Sequence, residues 1–579
     1  MSAAEWMIVA GGVAALVFLL SATFVLGWIL APGPGGVWIQ LAITWTAVVA
    51  VSLLLPLQDP LAVLLIVALT VTPAVVAYVM RIRSGPVSIF PGFMRLRSPL
   101  VIVALGALVL ALVALSGRVP GPMSAFDTGL YHLSSINQSR EFGTLLGAAN
   151  LYAPYGYHNS LFALAGFLTE VTAGNEGYRL TNSLVLGLAF VDLIVRLTRR
   201  TKAPGTVLLA IGLGVIVLLT VPLADEWIIS PSPDTAVFVL FVVMSAYLVD
   251  SFACSDRTGL DRNLGIVLIT GALMSSIRPL YLLPLLLSAV VILFLRRRVT
   301  RGSDSSWFVL SAGLLAIGTI LAGLARDVLM SGYLWYPLGL FRLPLAWTAP
   351  DPAPERALSL SFNRIGYATS ELDQAVSGFA WVGPWVSEYL PSNAGTVLLW
   401  GVLSLAAIAM MVASALRTRD SARMGLLALA LLPSGVTVVV WFAATPPALR
   451  FAWGPLFALP LIAVAWSSSR LLEKSIRSVV PLLATTSLAL VAGVSMSALV
   501  LDSRDETRPL VPARLMGLAG QVEAFPEVTL IPLPLPSGVS IAAPDGPTFQ
   551  CWGEVLCSPQ RPPGLDSRGP EPAEGFVTR

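Results

Sequence analysis

The chain has 579 residues, of which 56% are hydrophobic and only 12% are charged, and its mean hydropathy is +0.82. A soluble globular chain carries about 25% charged residues, so this composition excludes that class and indicates a polytopic membrane protein. The net charge of +3 is small and gives no support for a nucleic-acid partner.

Apolar runs long enough to cross about 30 Å of hydrocarbon recur along the chain. The sequence predicts about fourteen spans, at residues 6–30, 36–57, 61–80, 99–116, 180–197, 204–224, 235–251, 264–277, 281–295, 306–325, 394–416, 422–443, 451–466 and 479–501. The run at 264–277 is the shortest of them. We therefore expect an all-α transmembrane bundle over residues 1–501 and a Pro-rich tail over residues 502–579.

Lysine and arginine are concentrated in six short loops, which follow the third, fifth, seventh, ninth, eleventh and thirteenth spans and hold more than half of the 35 basic residues. Counted this way, all six loops lie on one side of the membrane. That side is predicted to be cytoplasmic, because short cytoplasmic loops carry an excess of Lys and Arg. The sequence thus predicts a multi-pass protein of the cytoplasmic membrane. Both termini and two long loops, about 117–179 and 326–393, are expected to lie outside the cytoplasm.

The first outer loop opens with Phe126-Asp127-Thr128-Gly129-Leu130-Tyr131-His132. An ionisable residue at a membrane surface, in a chain otherwise built for lipid, indicates a functional site. Asp127 is predicted either to act as a general base toward a hydroxyl group or to cap a helix that begins at Thr128. A helical turn would place Tyr131 beside Asp127. His132 would either donate to an anion and tune the carboxylate, or be an ordinary hydrogen-bonded side chain at the interface.

The second half of this loop contains His158 and Asn159, followed by an apolar stretch that ends near Gly174. Were this stretch to cross the membrane, the basic residues after the next span would face outward. We therefore predict an interfacial or re-entrant helix, which is tolerated where it lines a cavity.

Three charged residues near predicted span ends also face outward. Asp234 follows Ser230-Pro231-Ser232-Pro233 and is predicted either to orient an acceptor or assist Asp127, or to cap the helix that begins there. Arg278 and Arg450 lie outside against the positive-inside tendency. Their guanidinium groups either bind phosphate oxygens or reach toward lipid headgroups. By contrast, Asp192 and Arg196 are four residues apart on one helix, which favours a structural ion pair.

The middle loop and the tail have distinctive compositions. Aromatic residues and prolines alternate after Tyr333, which suggests surface-lying helices anchored by Trp and Tyr. The tail is expected to be an irregular cap with few strands. Cys551 and Cys557 lie in it, where oxidation is permitted, and are predicted either to form a disulfide or to remain free thiols. No phosphate-binding glycine loop occurs, which argues against a nucleotide-driven pump.

The number of spans, the long outer loops and an Asp early in the first of them resemble the GT-C superfamily of membrane glycosyltransferases. The run Phe126–His132, together with Asn150-Leu151-Tyr152 and His158-Asn159-Ser160, is similar to a bacterial GT-C-like family that carries Tyr-Asp-Thr-Gly-Leu-Tyr-His. Further similar runs are Ser331–Pro337, Arg450-Phe451 and the two tail cysteines, so the resemblance covers most of residues 124–558. This chain departs from the pattern at Ala153-Pro154-Tyr155-Gly156-Tyr157.

The resemblance implies a GT-C fold and an inverting transfer of a sugar from a polyprenyl-phosphate donor to a glycan, lipid or protein acceptor outside the cytoplasm. Asp127 stands at the position of the superfamily's catalytic acidic residue, and its carboxylate would be the general base. The donor's lipid tail would lie against the spans, and Arg278 or Arg450 would hold its phosphate. The expected substrate-binding residues are Tyr131, His132, His158, Asn159, Asp234, Arg278 and Arg450.

Two alternatives accompany this expectation. No cofactor is needed if arginines neutralise the phosphate, whereas the metal alternative places a divalent cation between Asp127 and Asp234. The other alternative is a lipid-linked glycan transporter or a non-catalytic subunit of envelope assembly. A transporter is expected to carry charge at mid-membrane and broken helices in paired halves. The sequence has its charges at span ends and no internal symmetry, which favours the enzyme.

Overall fold

The computed structural model describes residues 3–84, 125–172, 177–198, 203–220, 230–299, 306–365, 378–418, 421–471, 528–546 and 549–579. Within these ranges the chain is mostly helical, with six short strands. The helices of fifteen residues or more are α1 (Ala3–Leu30), α2 (Gly36–Ser52), α3 (Pro60–Ser84), α4 (Thr181–Thr198), α5 (Pro204–Leu218), α6 (Pro233–Ser251), α7 (Arg257–Ile277), α8 (Leu282–Arg298), α9 (Ser306–Ser331), α10 (Ala394–Thr418), α11 (Ser421–Ala444) and α12 (Trp453–Leu471).

Each of these helices coincides with a predicted span. Nine helices among the described residues are long and apolar enough to cross a membrane, judged by length and composition. The predicted spans at 99–116 and 479–501 lie outside the described residues. The span predicted at 264–277 is longer than expected, because α7 already begins at Arg257, where the Asp256 carboxylate accepts a hydrogen bond from the Gly259 amide and caps the helix.

Helix α6 lies at the centre of the bundle. All nineteen of its residues are buried, and it packs against α4, α5, α7 and α12. A helix that is apolar all round is expected to be buried in this way. Its start is fixed locally, since Pro233 occupies the first turn and the Ser232 side chain accepts from the amide of Asp234. The two ends of α6 carry Asp234 and Asp250, the two acidic residues of this helix.

The first outer loop is a chain of short helices. They are Thr128–His132, a π-helix, then Leu133–Glu141, Ala148–Leu151, Ala153–Gly156, Leu161–Val171 and Gly177–Leu180. The apolar stretch predicted not to cross the membrane forms the eleven-residue helix Leu161–Val171. At 1.5 Å per residue this helix is about 16 Å long, roughly half the thickness of the hydrocarbon layer. Its length therefore agrees with the prediction.

The middle outer loop differs in part from its prediction. It begins with an antiparallel hairpin of β1 (Tyr333–Trp335) and β2 (Leu340–Arg342) rather than with a helix. The helix Ala353–Ile365 follows, and beyond residues 366–377, which are not described, a helical stretch runs through Val382–Pro384, Trp385–Tyr389 and Leu390–Ser392.

The tail also contains more regular structure than expected. Strand β3 (Leu530–Pro534) pairs with β4 (Ser540–Pro544), and β5 (Leu565–Ser567) pairs with β6 (Phe576–Thr578), both antiparallel. The cysteines of the tail, Cys551 and Cys557, form a disulfide.

The disulfide loop of the tail packs directly on the first outer loop. The amides of Cys551 and Trp552 both donate to the carbonyl of Gly129, at 2.9 Å each. A side chain at position 129 would lie 2.2 Å from the Gln550 amide oxygen and 2.5 Å from the Trp552 ring. Glycine is therefore required at this position of the Asp-Thr-Gly-Leu-Tyr-His run. Asn137 adds a hydrogen bond of 2.7 Å to the carbonyl of Gly553.

Candidate active site

Four charged side chains from distant parts of the sequence meet at the Asp234 end of α6. Arg450 donates to Asp127 over 2.9 Å, and its Nε lies 3.4 Å from the second carboxylate, Asp234. Arg278 contacts the other oxygen of Asp234 at 2.5 Å. The charges therefore alternate in the order Asp127, Arg450, Asp234, Arg278, and we call these four residues the outer cluster.

Neither carboxylate of the outer cluster caps a helix. Asp127 precedes the π-helix Thr128–His132, but its side chain makes no capping hydrogen bond and points instead to Arg450. The capping alternative for Asp234 is also wrong, because Ser232 is the cap of α6 and Asp234 lies in the first turn. Both carboxylates are left for interactions with guanidinium groups.

The two arginines share one aromatic support. The guanidinium carbon of Arg278 lies 4.2 Å from the centroid of the Phe451 ring, and that of Arg450 lies 5.1 Å from it. Phe451 is held in turn by Tyr281, whose hydroxyl donates to the Phe451 carbonyl at 2.8 Å. Both arginines thus turn toward the carboxylates, rather than reaching for lipid headgroups as the alternative interpretation had it.

Three polar residues that the sequence pattern did not reveal as functional hold the cluster in place. The hydroxyls of Thr128 and Ser230 are 2.8 Å apart, which ties the first outer loop to the segment before α6. The side-chain amide of Asn182, near the start of α4, donates to the carbonyls of Ser230 and Ser232 at 2.9 and 3.0 Å. Nothing in the sequence distinguished Asn182 from other polar residues near span ends.

Tyr131 and His132 lie beside the cluster in different environments. The charges of all four cluster residues act on Tyr131, and burial raises its pKa so far that the hydroxyl stays protonated. Burial also lowers the pKa of His132 to about 3, so its imidazole is neutral. The His132 ring packs on Tyr131 and Phe162, and its Nδ1 finds no hydrogen-bond partner among the described residues. A neutral imidazole still carries one N–H donor, so donation to an anion by His132 stays a prediction.

His158 and Asn159 serve as internal ties rather than as members of the outer cluster. The two ring nitrogens of His158 lie 2.5 Å from the Asp327 carboxylate and 2.7 Å from the Ser275 carbonyl. The side-chain oxygen of Asn159 accepts from the backbone amide of Leu161, and the backbone carbonyl of Asn159 accepts from the Arg326 side chain. Because these polar atoms already have protein partners, the structure gives no support for the predicted role of either residue in substrate binding.

The outer cluster is accessible as well as charged. The side chains of Asp127 and Arg450 are 27% and 31% exposed and that of Arg278 is 22% exposed, whereas Asp234 is buried at 2%. The buried carboxylate thus anchors two arginines whose outer atoms reach accessible space. An anion that entered there would find two guanidinium groups, each able to donate to oxygen atoms in a planar fork.

A family model described as a domain of unknown function, DUF8201, matches residues 7–457. The chain belongs to this family. The matched region contains all four residues of the outer cluster and ends before the tail. No curated protein and no solved structure matches the chain.

The position of Arg450 bears on the metal alternative for this DUF8201 member. A divalent cation held by Asp127 and Asp234 would need the space that the Arg450 guanidinium occupies between them. No group of three or more His, Cys, Asp or Glu suited to a metal ion occurs among the described residues. The donor set at the cluster therefore does not fit the predicted cation as it stands, and the guanidinium groups provide the positive charge.

Proposed function

We propose that the protein is a membrane glycosyltransferase that moves a sugar from a polyprenyl-phosphate donor to an acceptor hydroxyl. The observation that carries this proposal is the outer cluster, in which a half-exposed carboxylate, Asp127, lies beside two arginines fixed by a second, buried carboxylate. A transferase of this kind needs a base for the acceptor and positive charge for the phosphate that leaves. Both are present within a few ångströms.

Arg450 is placed to exchange a carboxylate partner for the phosphate of the donor. Arg450 contacts both carboxylates, and Asp234 retains Arg278 when Arg450 turns away. A donor phosphate that takes Arg450 as its partner leaves the Oδ2 atom of Asp127 without its guanidinium. The same event that binds the donor therefore prepares the base.

The chemical step balances with these groups alone. The acceptor oxygen attacks the anomeric carbon of the donor sugar, and the bond between that carbon and the phosphate oxygen breaks. The acceptor proton passes to the free carboxylate oxygen of Asp127, and the electron pair of the broken bond stays on the lipid phosphate. Arg278 and Arg450 stabilise the charge that develops there. Attack from the face opposite the phosphate inverts the anomeric centre.

The proposed site lies outside the cytoplasm. The basic residues at the ends of α8 and α10 (Arg296, Arg297, Arg298 and Arg417) belong to the loops predicted to be cytoplasmic. The outer cluster is found at the start of α6, the end of the bundle where the long loops gather. The donor sugar would accordingly be presented from the outer leaflet.

The test is a reconstituted assay with the full chain in proteoliposomes. A panel of prenyl phosphates carrying radiolabelled hexoses or pentoses is added together with a mixture of short glycans, and release of free prenyl phosphate is measured. We expect release from at least one donor by the wild type and none above background by Asp127→Asn. If no donor in the panel is turned over, the proposal fails. If a labelled lipid crosses the bilayer with its sugar intact, the transporter alternative is correct instead.

A further inference from the structure

A second polar region begins at Tyr131, on which the charge of Asp127 acts. The ring of Tyr131 packs edge-on against that of Tyr157, with centroids 5.9 Å apart. The hydroxyl of Tyr157 donates to the carboxylate of Glu355 over 2.5 Å. These two contacts link Tyr131 through Tyr157 to Glu355, and all three side chains are partly exposed.

Glu355 is surrounded by tyrosines from both outer loops. Burial raises its pKa, although the hydrogen bond from Tyr157 acts in the opposite direction. Its charge acts on Tyr152 and Tyr336 as well as on Tyr157. The charge of Asp127 also acts on Tyr152, more weakly than that of Glu355.

Three tyrosine hydroxyls in this region have no hydrogen-bond partner among the residues that the structure describes. The side chains of Tyr152 and Tyr336 are buried and that of Tyr131 is half-buried, yet none of their hydroxyls makes a hydrogen bond with any of the described residues. These hydroxyls also retain contact with accessible space, since none belongs to the fully enclosed unpartnered polar atoms. Buried tyrosines ordinarily place their hydroxyl on a partner. Tyr152 and Tyr336 feel the charge of Glu355, and Tyr131 feels that of Asp127. These three exceptions in one region indicate a partner from outside the described residues.

We propose that Glu355 and the tyrosines at positions 131, 152 and 336 form a binding subsite for an uncharged sugar ring of the acceptor. This proposal rests on the proposed function, because it places the acceptor beside the base. Aromatic rings cover the apolar faces of a sugar, while phenol and carboxylate groups bind its hydroxyls. Glu355 accepts from sugar hydroxyls and would repel a uronic acid. Of the acceptor classes that the sequence left open, the subsite favours a glycan.

The neighbouring residue Tyr155 provides a matched control. Its hydroxyl donates to the Cys557 carbonyl at 2.9 Å and thus has a structural partner in the tail. Tyr152→Phe removes a hydroxyl that has no partner in the described part of the chain, whereas Tyr155→Phe removes one that links the loop to the tail. Glu355→Gln keeps an oxygen that can accept from Tyr157 and removes the charge.

The experiment uses the full chain in lipid nanodiscs and three neutral disaccharides, maltose, lactose and cellobiose, as probes, with a glucuronic-acid disaccharide as the charged counterpart. Binding is followed by saturation-transfer NMR. We expect a neutral probe to bind the wild type, and Tyr152→Phe and Glu355→Gln to bind it up to about tenfold more weakly at unchanged Tm, as for the loss or weakening of one hydrogen bond. Tyr155→Phe should lower Tm and leave binding unchanged.

The outcomes separate this proposal from the one on which it rests. The subsite is refuted if no neutral probe binds, if the charged probe binds better, or if Tyr152→Phe and Glu355→Gln bind as the wild type does. Release of prenyl phosphate is measured in the same preparations. Turnover with an unchanged acceptor KM in both variants refutes the subsite alone. Sugar binding that the variants weaken, in a protein that turns over no donor, refutes the transferase alone.

Discussion

Helix α6 carries an ionic cluster at each end, and the two clusters differ in what surrounds them. The outer cluster gathers around Asp234, and a second cluster gathers around Asp250, sixteen residues further along the helix. At 1.5 Å per residue the two aspartates are about 24 Å apart along the helix axis. Both clusters pair Asp with Arg, so charge alone does not distinguish a functional site from a structural one.

The second cluster, formed by Asp192, Arg196 and Asp250, is buried and densely bonded, and we call it the sealed cluster. Arg196 donates to Asp192 at 2.7 Å and to Asp250 at 2.5 Å, and its guanidinium carbon lies 4.3 Å from the centre of the Tyr247 ring. Asp192 also accepts from the indole of Trp38 at 2.7 Å and from the hydroxyl of Tyr247 at 3.1 Å. This arrangement joins α2, α4 and α6, and the sequence-based prediction of a structural pair between Asp192 and Arg196 is confirmed.

The outer cluster is open by comparison. Asp127 accepts from Arg450 alone among the described residues, and more than a quarter of its side chain is exposed, whereas Asp192 is fully buried and accepts from three donors. A buried ion pair that accepts several hydrogen bonds stabilises one arrangement. A pair that is partly exposed and has a single donor can exchange partners, which is the property that a binding site needs.

The largest expected effect is all-or-none and concerns which end of α6 is outside. Ser387 lies exposed on the middle loop, and Ser255 lies exposed just beyond the Asp250 end. In a background with Cys254→Ser, a cysteine introduced at 387 should react with an impermeant thiol reagent in intact cells. A cysteine at 255 should react only after permeabilisation. The opposite pattern would place the outer cluster in the cytoplasm and remove the proposed donor topology.

The next effect is on the chemical step. Asp127→Asn should reduce sugar transfer by about 10²–10⁴-fold, the usual cost of losing a general base. Its Tm should stay close to that of the wild type, because the half-exposed side chain caps no helix. Asp545→Asn, an exposed aspartate of the tail, is the control and should retain activity. A normal rate of sugar transfer in Asp127→Asn would mean that the outer cluster is not catalytic.

The sequence anticipated the members of the outer cluster but not their arrangement. Asp127 and Arg450 stand out as charges at span ends, yet 323 residues separate them and no local pattern encodes their contact. The same holds for His158, whose partner Asp327 is 169 residues away. Spans are predictable because length and apolarity decide them locally. Long-range polar pairing depends on how the helices pack, which periodicity does not reveal.

The tail was underestimated for a different reason. Strand β3 contains Pro532 and Pro534, and proline within a run demotes it as a strand. Strand β3 pairs with β4 on one side only, so a proline in β3 can face outward without removing a ladder hydrogen bond. The rule that argues against a central strand therefore does not apply here.

Replacing Arg450 should show whether its positive charge or the shape of its guanidinium group matters in the outer cluster. Arg450→Ala should lower the transfer rate by about 10²–10³-fold, as for the loss of one donor to a developing negative charge. Arg450→Lys should fall between Ala and the wild type, because a point charge cannot reproduce the guanidinium fork. Arg568→Ala removes an exposed arginine of the tail and serves as the control. Full activity in both Arg450 variants would exclude this residue from phosphate binding.

Breaking the sealed cluster should affect stability rather than chemistry. Asp192→Asn leaves Arg196 with one carboxylate instead of two and should lower the free energy of unfolding by about 3 kcal/mol. The surviving protein should keep its rate of transfer. Thermal unfolding in detergent and the assay above measure the two quantities. Asp256→Asn is the control and should be nearly neutral, since Asn caps a helix about as well as Asp. A loss of rate without a loss of stability in Asp192→Asn would show that the sealed cluster takes part in function.

The smallest expected effect comes from the two histidines, whose pKa values shift in opposite directions. Burial alone would lower the pKa of His158, but the charge and hydrogen bond of Asp327 outweigh it and raise the pKa above 6.5. The stabilisation from His158 is therefore complete below pH 6.5 and is lost as the pH rises through the raised value. His132, with its pKa lowered to about 3, contributes stability above pH 6.5 and loses it progressively as the pH falls toward 3.

The alkaline loss belongs to His158 alone, so Tm measured from pH 6 to 9 should fall in the wild type and remain flatter in His158→Gln. The slope cannot exceed about 1.4 kcal/mol per pH unit for one proton. If Tm falls with pH equally steeply in the variant, the His158–Asp327 pair is not charged in the folded protein. It would then be a neutral hydrogen bond, unlike the ion pairs of the sealed cluster.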